Sequence, residues 1–557
     1  SLVVLSEQGH VKVVRTSDWN QFATLESLDD MGSDLSISPD GNAVTISLMN
    51  GTLATRKLPP ISAAAKVAAE RIRPIYMDLG EPSRGDEGTL RQQQQADPSL
   101  ASTVVNEQDQ LIRVDRGAEV TGVIREPGQT DRYVWPARRG EVWAIDVDAI
   151  GTSPIDPIVT VMDASGDPVL RTRLQAVRDS YFTFRGKDSN QVGDFRLFNW
   201  QEMHLSEYLY AAGEVTRLWM HPRGPDSGFN VYPGEGNRWT YFGTSHTTHA
   251  LGEPAHIVRP LGPGEPPVAN GLPVFDVYYE NDDDPMRLAG KSSRLLFTAP
   301  ADGNYVVRVA DTTGGGGEAF TYKLAIRAAV PGFKPTVQPA AAVLRRGTGR
   351  EFVVRVDRID GFDGPVTFDV ADLPAGLISN APITIERGQR YAVGTIWADP
   401  STPPWEGKVT VDLIAGAEIN GTYVERRAGK AGEFTLGDPP SVVPSIQPRG
   451  REVAESEDWT LQVHRGETVS ARVVLRRKEG FKAEVGFGKE DSGRNVSQGV
   501  YVDNIGLNGL LVLAEMNERE FFLTADPTAV PGRRSFFLKA NVDGGVTSHP
   551  ITVEVLP

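Results

Sequence analysis

Cysteine is absent from all 557 residues. That removes disulfides, thiolate nucleophiles, iron–sulfur clusters and cysteine-ligated zinc together. A basic excess is missing too: 57 Lys and Arg face 73 Asp and Glu, a net charge of −16. Nucleic acid requires a basic footprint and anionic membranes attract cations, so neither partner fits, and cations are the natural ones. No apolar run approaches the roughly 20 residues of a membrane helix, so no membrane insertion is expected. The opening Ser1-Leu2-Val3-Val4-Leu5 lacks the basic region and cleavage site of a signal peptide. The chain therefore reads either as cytoplasmic or as the mature or truncated part of an exported protein. There is no Gly-x-Ser-x-Gly elbow, Walker loop or dinucleotide fingerprint. Gly314 to Gly317 has no Lys-Ser/Thr after it and reads as a hairpin loop.

What is present is strand pattern. Hydrophobic residues make up 39% of the chain, enough for a core in each of about three to five domains. Alternation and tight-turn residues predict an all-β, multidomain chain. Residues 1–58 alternate around the turns Ser38-Pro39-Asp40-Gly41 and Asn50-Gly51. Leu35-Ser36-Ile37-Ser38-Pro39-Asp40-Gly41, with Val44-Thr45-Ile46-Ser47 and Gly51-Thr52-Leu53 after it, resembles one blade of a WD-repeat propeller. Fewer than two blades cannot bury their faces alone, so the chain is expected to be covalently continuous with upstream domains. Residues 59–104 read as a linker, with a short helix candidate from Ser62 to Arg71 and a run from Gln92 to Gln95.

From Leu111 the alternation returns. Glu119–Ile124, Asp131–Trp135, Gly140–Val147 and Asp156–Gly166 read as successive strands. Further on stand Glu280-Asn281-Asp282-Asp283-Asp284 and then Leu295-Leu296-Phe297-Thr298-Ala299-Pro300-Ala301-Asp302-Gly303-Asn304-Tyr305. These two halves resemble the bacterial pre-peptidase C-terminal domain, a β-sandwich appended to secreted enzymes. The resemblance implies one sandwich over 105–330, interrupted by an insertion at about 174–278. Beyond it, Val354-x-Val356-x-Arg358-x-x-Gly361-Phe362-x-x-x-Val366-x-Phe368 recurs as Val473-x-Leu475-x-Arg477-x-x-Gly480-Phe481-x-x-x-Val485-x-Phe487. An offset of that size suits immunoglobulin-like sandwiches, predicted at 335–438 and 441–557. The arrangement is similar to that of large multidomain surface or periplasmic proteins of planctomycete-type bacteria.

Three groups of residues are candidates for chemistry. Glu280, Asn281, Asp282, Asp283 and Asp284 offer oxygens suited to calcium, which takes six to eight; the alternative is a solvated turn. The insertion holds five of the eight histidines, His204, His221, His246, His249 and His256, among many aromatics. Trp200, Trp219, Trp239 and Tyr241 either close a small core or form a flat platform for sugar rings. His246-x-x-His249 places two imidazoles at a spacing compatible with zinc, without the helical His-Glu-x-x-His signature. The expected function is a non-catalytic exported binding, adhesion or targeting segment, calcium-stabilised, recognising glycan or protein at an extracellular, cell-surface or periplasmic location. Two alternatives stand beside it: an accessory region of a larger secreted peptidase or redox enzyme, and a hydrolase using His246 and His249.

Overall fold

In the computed structural model the described residues are 2–5, 11–14, 21–25, 28, 32–38, 42–48, 52–58, 103–104 and 111–557, apart from 118, 223–225, 233–236, 490–491, 504 and 506–507. The helix candidate at Ser62–Arg71, the Gln92–Gln95 run and the turn residues Pro39–Gly41, Asn50 and Gly51 lie outside them. Among the described residues the fold is all-β, and a single 3-10 turn at Trp200–Glu202 supplies the helix. The chain divides into two compact units.

One unit gathers Ser1–Gln95 with Thr172–Asp179 and Val258–Asp276. Its strands Gly32–Ile37, Ala43–Leu48 and Leu53–Lys57 pair antiparallel in sequence order. Period-2 alternation sends Val44, Ile46 and Leu48 to one buried face, where Leu35 and Ala54 pack on them. Leu2–Leu5, Val11–Val14 and Gln21–Thr24 form a second antiparallel sheet.

The other unit begins with a sandwich. Asp131–Ala137 pairs with Gly303–Asp311, and Val142–Ala149 pairs with both Ser293–Thr298 and Thr321–Ala328. The two predicted halves thus interleave strand by strand across the intervening chain. Alternating residues Tyr133, Trp135, Ile145, Val147, Phe297, Val307 and Leu324 fill the space between the two five-stranded sheets. Phe297 meets both Trp135 and Tyr305 edge to face there.

The repeated motif falls on the same structural positions in both later modules. Val354 and Val356 lie on the inward face of the strand Thr348–Ile359, as Val473 and Leu475 do on Thr468–Arg477. Gly361 and Gly480 turn the chain with φ of 81° and 80°, a conformation that glycine adopts without Cβ clash. The repeated arginine clamps loop carbonyls in each case. Arg358 donates to Gly364, Glu386 and Gln389 oxygens, and Arg477 donates to Ala483, Leu513 and Met516 oxygens.

The modules are not simply strung in tandem. Lys539–Ala540 and Val546–Thr547 of the second module extend the sheet of the first, with Thr547 opposite Gly349. Beside this seam Arg494 makes a two-pronged bond to Glu351 at 2.5 and 2.6 Å, and Lys539 adds a third contact at 2.9 Å.

Candidate functional site

In the insertion, Tyr208–Ala211 and Glu214–Met220 form a hairpin whose two turn residues, Ala212 and Gly213, both have positive φ. This is the geometry that matches strand twist in two-residue turns. It delivers Glu214 to the buried start of the second strand. A short pair, Lys187–Asp188 with Thr248–His249, brings His249 opposite Lys187. A side chain at Gly186 would sit 2.4 Å from the His249 carbonyl oxygen, so glycine permits that approach.

Four polar side chains meet here in a chain of hydrogen bonds. Arg238, fully buried, donates to both Glu214 oxygens at 2.6 and 3.0 Å. The His249 ring bonds Glu214 Oε2 through Nε2 at 2.7 Å and Glu253 Oε1 through Nδ1 at 2.8 Å. Burial pushes the Glu214 carboxyl upward, but the His249 hydrogen bond and the Arg238 guanidinium outweigh it and hold it at about 2. Lys187, 3% exposed, has its ammonium pKa lowered by burial and donates to the Gly193 oxygen at 3.0 Å.

Glu214, His246 and His249 are the one group of three metal-type ligands whose atoms lie within 4.8 Å of one another among the described residues. Their orientation fits an ion poorly. The His246 ring lies 5.0 Å from His249 and nearly parallel to it, at 11°. Ligand lone pairs lie in the ring plane, so two stacked rings do not point at one shared centre. His246 Nδ1 also accepts from the Thr248 amide at 3.2 Å, and Glu214 Oε2 is engaged by His249 and Arg238. Phe182 covers the other face of His249 at 5.5 Å. With Glu214 and His249 at 1% and 3% exposure, neither presents an atom to a substrate in this conformation.

The acidic segment is an edge strand followed by a turn. Glu280–Asn281 pairs with Pro157–Met162. Glu280 accepts from Thr160 Oγ1 at 2.7 Å, and Asn281 Nδ2 donates to the Asp283 and Arg294 oxygens. Asp284 is buried and caps the turn by accepting from the Met286 and Leu288 amides. Asp282 bonds Ser245, Asp283 pairs with Arg287, and Arg287 also donates to the His246 oxygen. These last contacts latch the turn to the insertion. The Asp283 carboxyl is pushed up to about 6, chiefly by burial; Arg287 opposes this, and Asp282 and Asp156 add repulsion. Asn281 Oδ1 is buried with no partner among the described residues.

The aromatic candidates separate. Trp239 and Tyr241 are buried, the latter packed edge-on against Tyr208. Tyr208, Tyr232 and Tyr241 surround Arg217, whose guanidinium lies 4.8 to 5.6 Å from their ring centres. Trp200 begins the 3-10 turn and is half-buried. Trp219, also half-buried, lines a cavity between the insertion and the two later modules. An exposed aromatic pair is made by residues outside the candidate set. Tyr181 and Phe198, 42% and 43% exposed, stack at 5.0 Å and 15°. The Phe198 amide donates to the Tyr181 oxygen, and Ser180 Oγ donates to the Phe198 oxygen at 2.7 Å. Beside them Arg196 lies 4.0 Å over the exposed Phe184 ring.

Glu214, Arg238, Glu253 and Lys187 were not legible as a group, because no spacing marks residues that meet only in three dimensions. The one local signal was the tight turn before Glu214.

Neither family models nor curated proteins give a match to this sequence. Among solved structures, a protein of unknown function from Porphyromonas gingivalis W83 is similar over 40% of this chain and 99% of its own, at 12% identity and TM-score 0.14. The E. coli chaperone DraB is similar over 40% of this chain and 97% of its own, at 12% identity and TM-score 0.14. The surface layer protein SbsC, domains 4-9, is similar over 64% of this chain and 48% of that chain, at 14% identity and TM-score 0.19. At these scores the likenesses carry no functional argument. No described helix is long and apolar enough to cross a membrane.

Proposed function

We propose that this chain is a non-catalytic binding and spacing segment of an exported protein, acting at a cell surface or in the periplasm, and that its insertion presents a recognition face to a glycan. The observation that carries the reading is the stacked Tyr181–Phe198 pair, held by backbone bonds and left exposed. Flat apolar faces ringed by polar donors suit sugar rings, and contiguous exposed aromatics mark interaction sites. The histidine cluster supports the same reading, since its groups are buried and bonded to one another.

Calcium belongs to the proposal at the acidic turn. Asp283 carries a raised carboxyl beside Asp282 and Asp156, and the buried Asn281 Oδ1 adds an unpartnered oxygen. A divalent ion there would favour the charged carboxylate that burial disfavours. Because Asp282 and Arg287 touch Ser245 and His246, it would also stiffen the insertion.

Affinity electrophoresis through gels containing soluble β-glucan, xylan or mannan tests the main reading. Retardation by at least one polysaccharide, lost in Tyr181→Ala/Phe198→Ala, is expected. Equal mobility of parent and variant in every gel rejects the platform, and a protein partner recovered through the same two residues would replace glycan with protein.

A further inference from the structure

The Tyr181–Phe198 face is lopsided in charge. Phe182 and Leu197 bridge two antiparallel segments, and both are buried. Side chains alternate across a strand, so their neighbours Tyr181, Thr183, Arg196 and Phe198 stand on the opposite, outer face. The Thr183 amide donates to the Arg196 oxygen at 2.9 Å, as the Phe198 amide does to the Tyr181 oxygen at 3.1 Å. These bonds set Thr183 against Arg196 two residues along from the aromatic pair, about 7 Å of strand rise. Rings and guanidinium share one strip.

The far end of that strip gathers cations. Phe184, itself exposed, carries the Arg196 guanidinium 4.0 Å over its ring and the Arg185 guanidinium at 5.2 Å. Arg196 Nε pairs with Asp194 at 2.8 Å, Arg185 reaches the same carboxylate at 3.5 Å, and Lys187 Nζ lies 4.0 Å from it. Among the described residues Asp194 is the one acid paired with any of these three. Positive charge is therefore in excess. Burial lowers the Lys187 ammonium; Asp194 opposes that, and Arg185, Arg196 and Arg238 add to it. The Arg185 side chain is 66% exposed, and the 3.5 Å contact is its one ion pair among the described residues. Its planar fork is open to solvent. A guanidinium matches carboxylate and sulfate in shape as well as charge, because it can meet two oxygens at once.

We propose that the Tyr181–Phe198 face selects acidic glycans, the rings packing on a sugar while Arg185 and Arg196 hold the carboxylate or sulfate of the bound polymer. This deepens the reading above and rests on it. The rings supply contact with any polysaccharide, and the arginines supply the preference. Uronic acids and sulfate esters share the recognised chemistry, a negative charge spread over equivalent oxygens. The chain as a whole carries −16, so its average field repels a polyanion and opposes non-specific uptake.

The test is calorimetric titration of the full chain in EDTA with three matched pairs of polymers. These are hydroxyethyl against carboxymethyl cellulose, methyl-esterified pectin against polygalacturonate, and agarose oligosaccharides against carrageenan. The acidic member is expected to bind about tenfold tighter or more in at least one pair. Which pair responds tells carboxylate from sulfate. Arg185→Gln/Arg196→Gln is expected to bring the acidic affinity down to the neutral one, with neutral affinity and unfolding midpoint unchanged. Arg185→Gln alone leaves Arg196 on Asp194 and Phe184, and is expected to lose about threefold of the preference. Tyr181→Ala/Phe198→Ala is expected to weaken both members of the pair. Equal affinity within every pair, or acidic preference intact in the double arginine variant, overturns this inference and leaves the glycan face standing. Acidic binding that appears only when calcium replaces EDTA assigns the preference to a bridging ion and overturns it as well. No binding of any of the polymers removes the face, and this inference with it.

Discussion

Replacing Glu214 by glutamine probes the structural reading of the histidine cluster. The substitution preserves shape and removes one negative charge from between Arg238 and His249. Its effect on stability follows from the structure in two ways. A carboxyl held at about 2 instead of its usual 4.5 contributes about 3 kcal/mol at neutral pH. Removing one member of a buried ion pair costs about 3–5 kcal/mol, because its partner stays buried, and Arg238 is fully buried. The two routes agree. Urea unfolding at pH 7 should therefore show a loss of about 3–5 kcal/mol in the transition that includes the insertion, or roughly 10 °C in its midpoint. The pH dependence has a definite sign. With the folded pKa depressed, Glu214 stabilises fully above pH 4.5, and its contribution is lost as pH falls toward about 2. Parent protein should weaken across that window more steeply than Glu214→Gln. A variant within about 1 kcal/mol of the parent, with the same acid slope, would refute the buried chain as a structural element.

Other predictions follow from the same geometry. Asp283 carries the opposite sign: with its folded pKa raised to about 6, stability is highest below the usual carboxylate value and declines as pH rises through 6, by less than about 3 kcal/mol after solvent screening. Calcium should flatten that decline and raise the melting temperature, and differential scanning calorimetry with calcium against EDTA reads both; identical curves would remove calcium from the turn. Zinc analysis of parent and His246→Ala/His249→Ala should show equal, substoichiometric metal; a stoichiometric ion lost in the variant would contradict the stacked-ring argument. Gly349→Ala would put a methyl 2.3 Å from Thr547 Oγ1 and 2.5 Å from Thr395 Oγ1, whose hydroxyls share a buried 2.6 Å bond. It should loosen the seam between the modules by about 1–3 kcal/mol, visible as earlier proteolysis between them, whereas unchanged proteolysis would show the seam to be marginal.

Much of the fold was legible because it rests on period-2 burial and tight turns. The motif at Val354–Phe368 and its copy at Val473–Phe487 marked inward-facing positions, and the shared arginine and glycine marked matching turns. Strands on either side of the insertion were legible from their alternation, but only the resemblance of the two halves implied that they share one sandwich, in which Asp131–Ala137 pairs with Gly303–Asp311. The shared sheet through Thr547 was not legible, since a two-residue strand leaves no periodic signal. The candidate site was read less well for a different reason. Sequence shows how many acids, histidines and aromatics a segment has but not which are buried, so Trp239 and Tyr241 could not be told from the exposed Tyr181 and Phe198. Asp284 in a hydrogen-bonded turn looks the same as an acid in water. The cavity between the insertion and the later modules is assembled from Trp219, Gln389 and Tyr501, far apart in the chain and brought together by domain packing alone.

The central claim is that this chain holds a glycan without transforming it. The direct measurement incubates the parent with the polysaccharide that retards it most and follows both calorimetric heat and product chromatography. Saturable binding with unchanged polymer length, and at least a tenfold loss of affinity in Tyr181→Ala/Phe198→Ala, about 1.4 kcal/mol, is the predicted result. Shortened polymer, or affinity indifferent to those two rings, would contradict it.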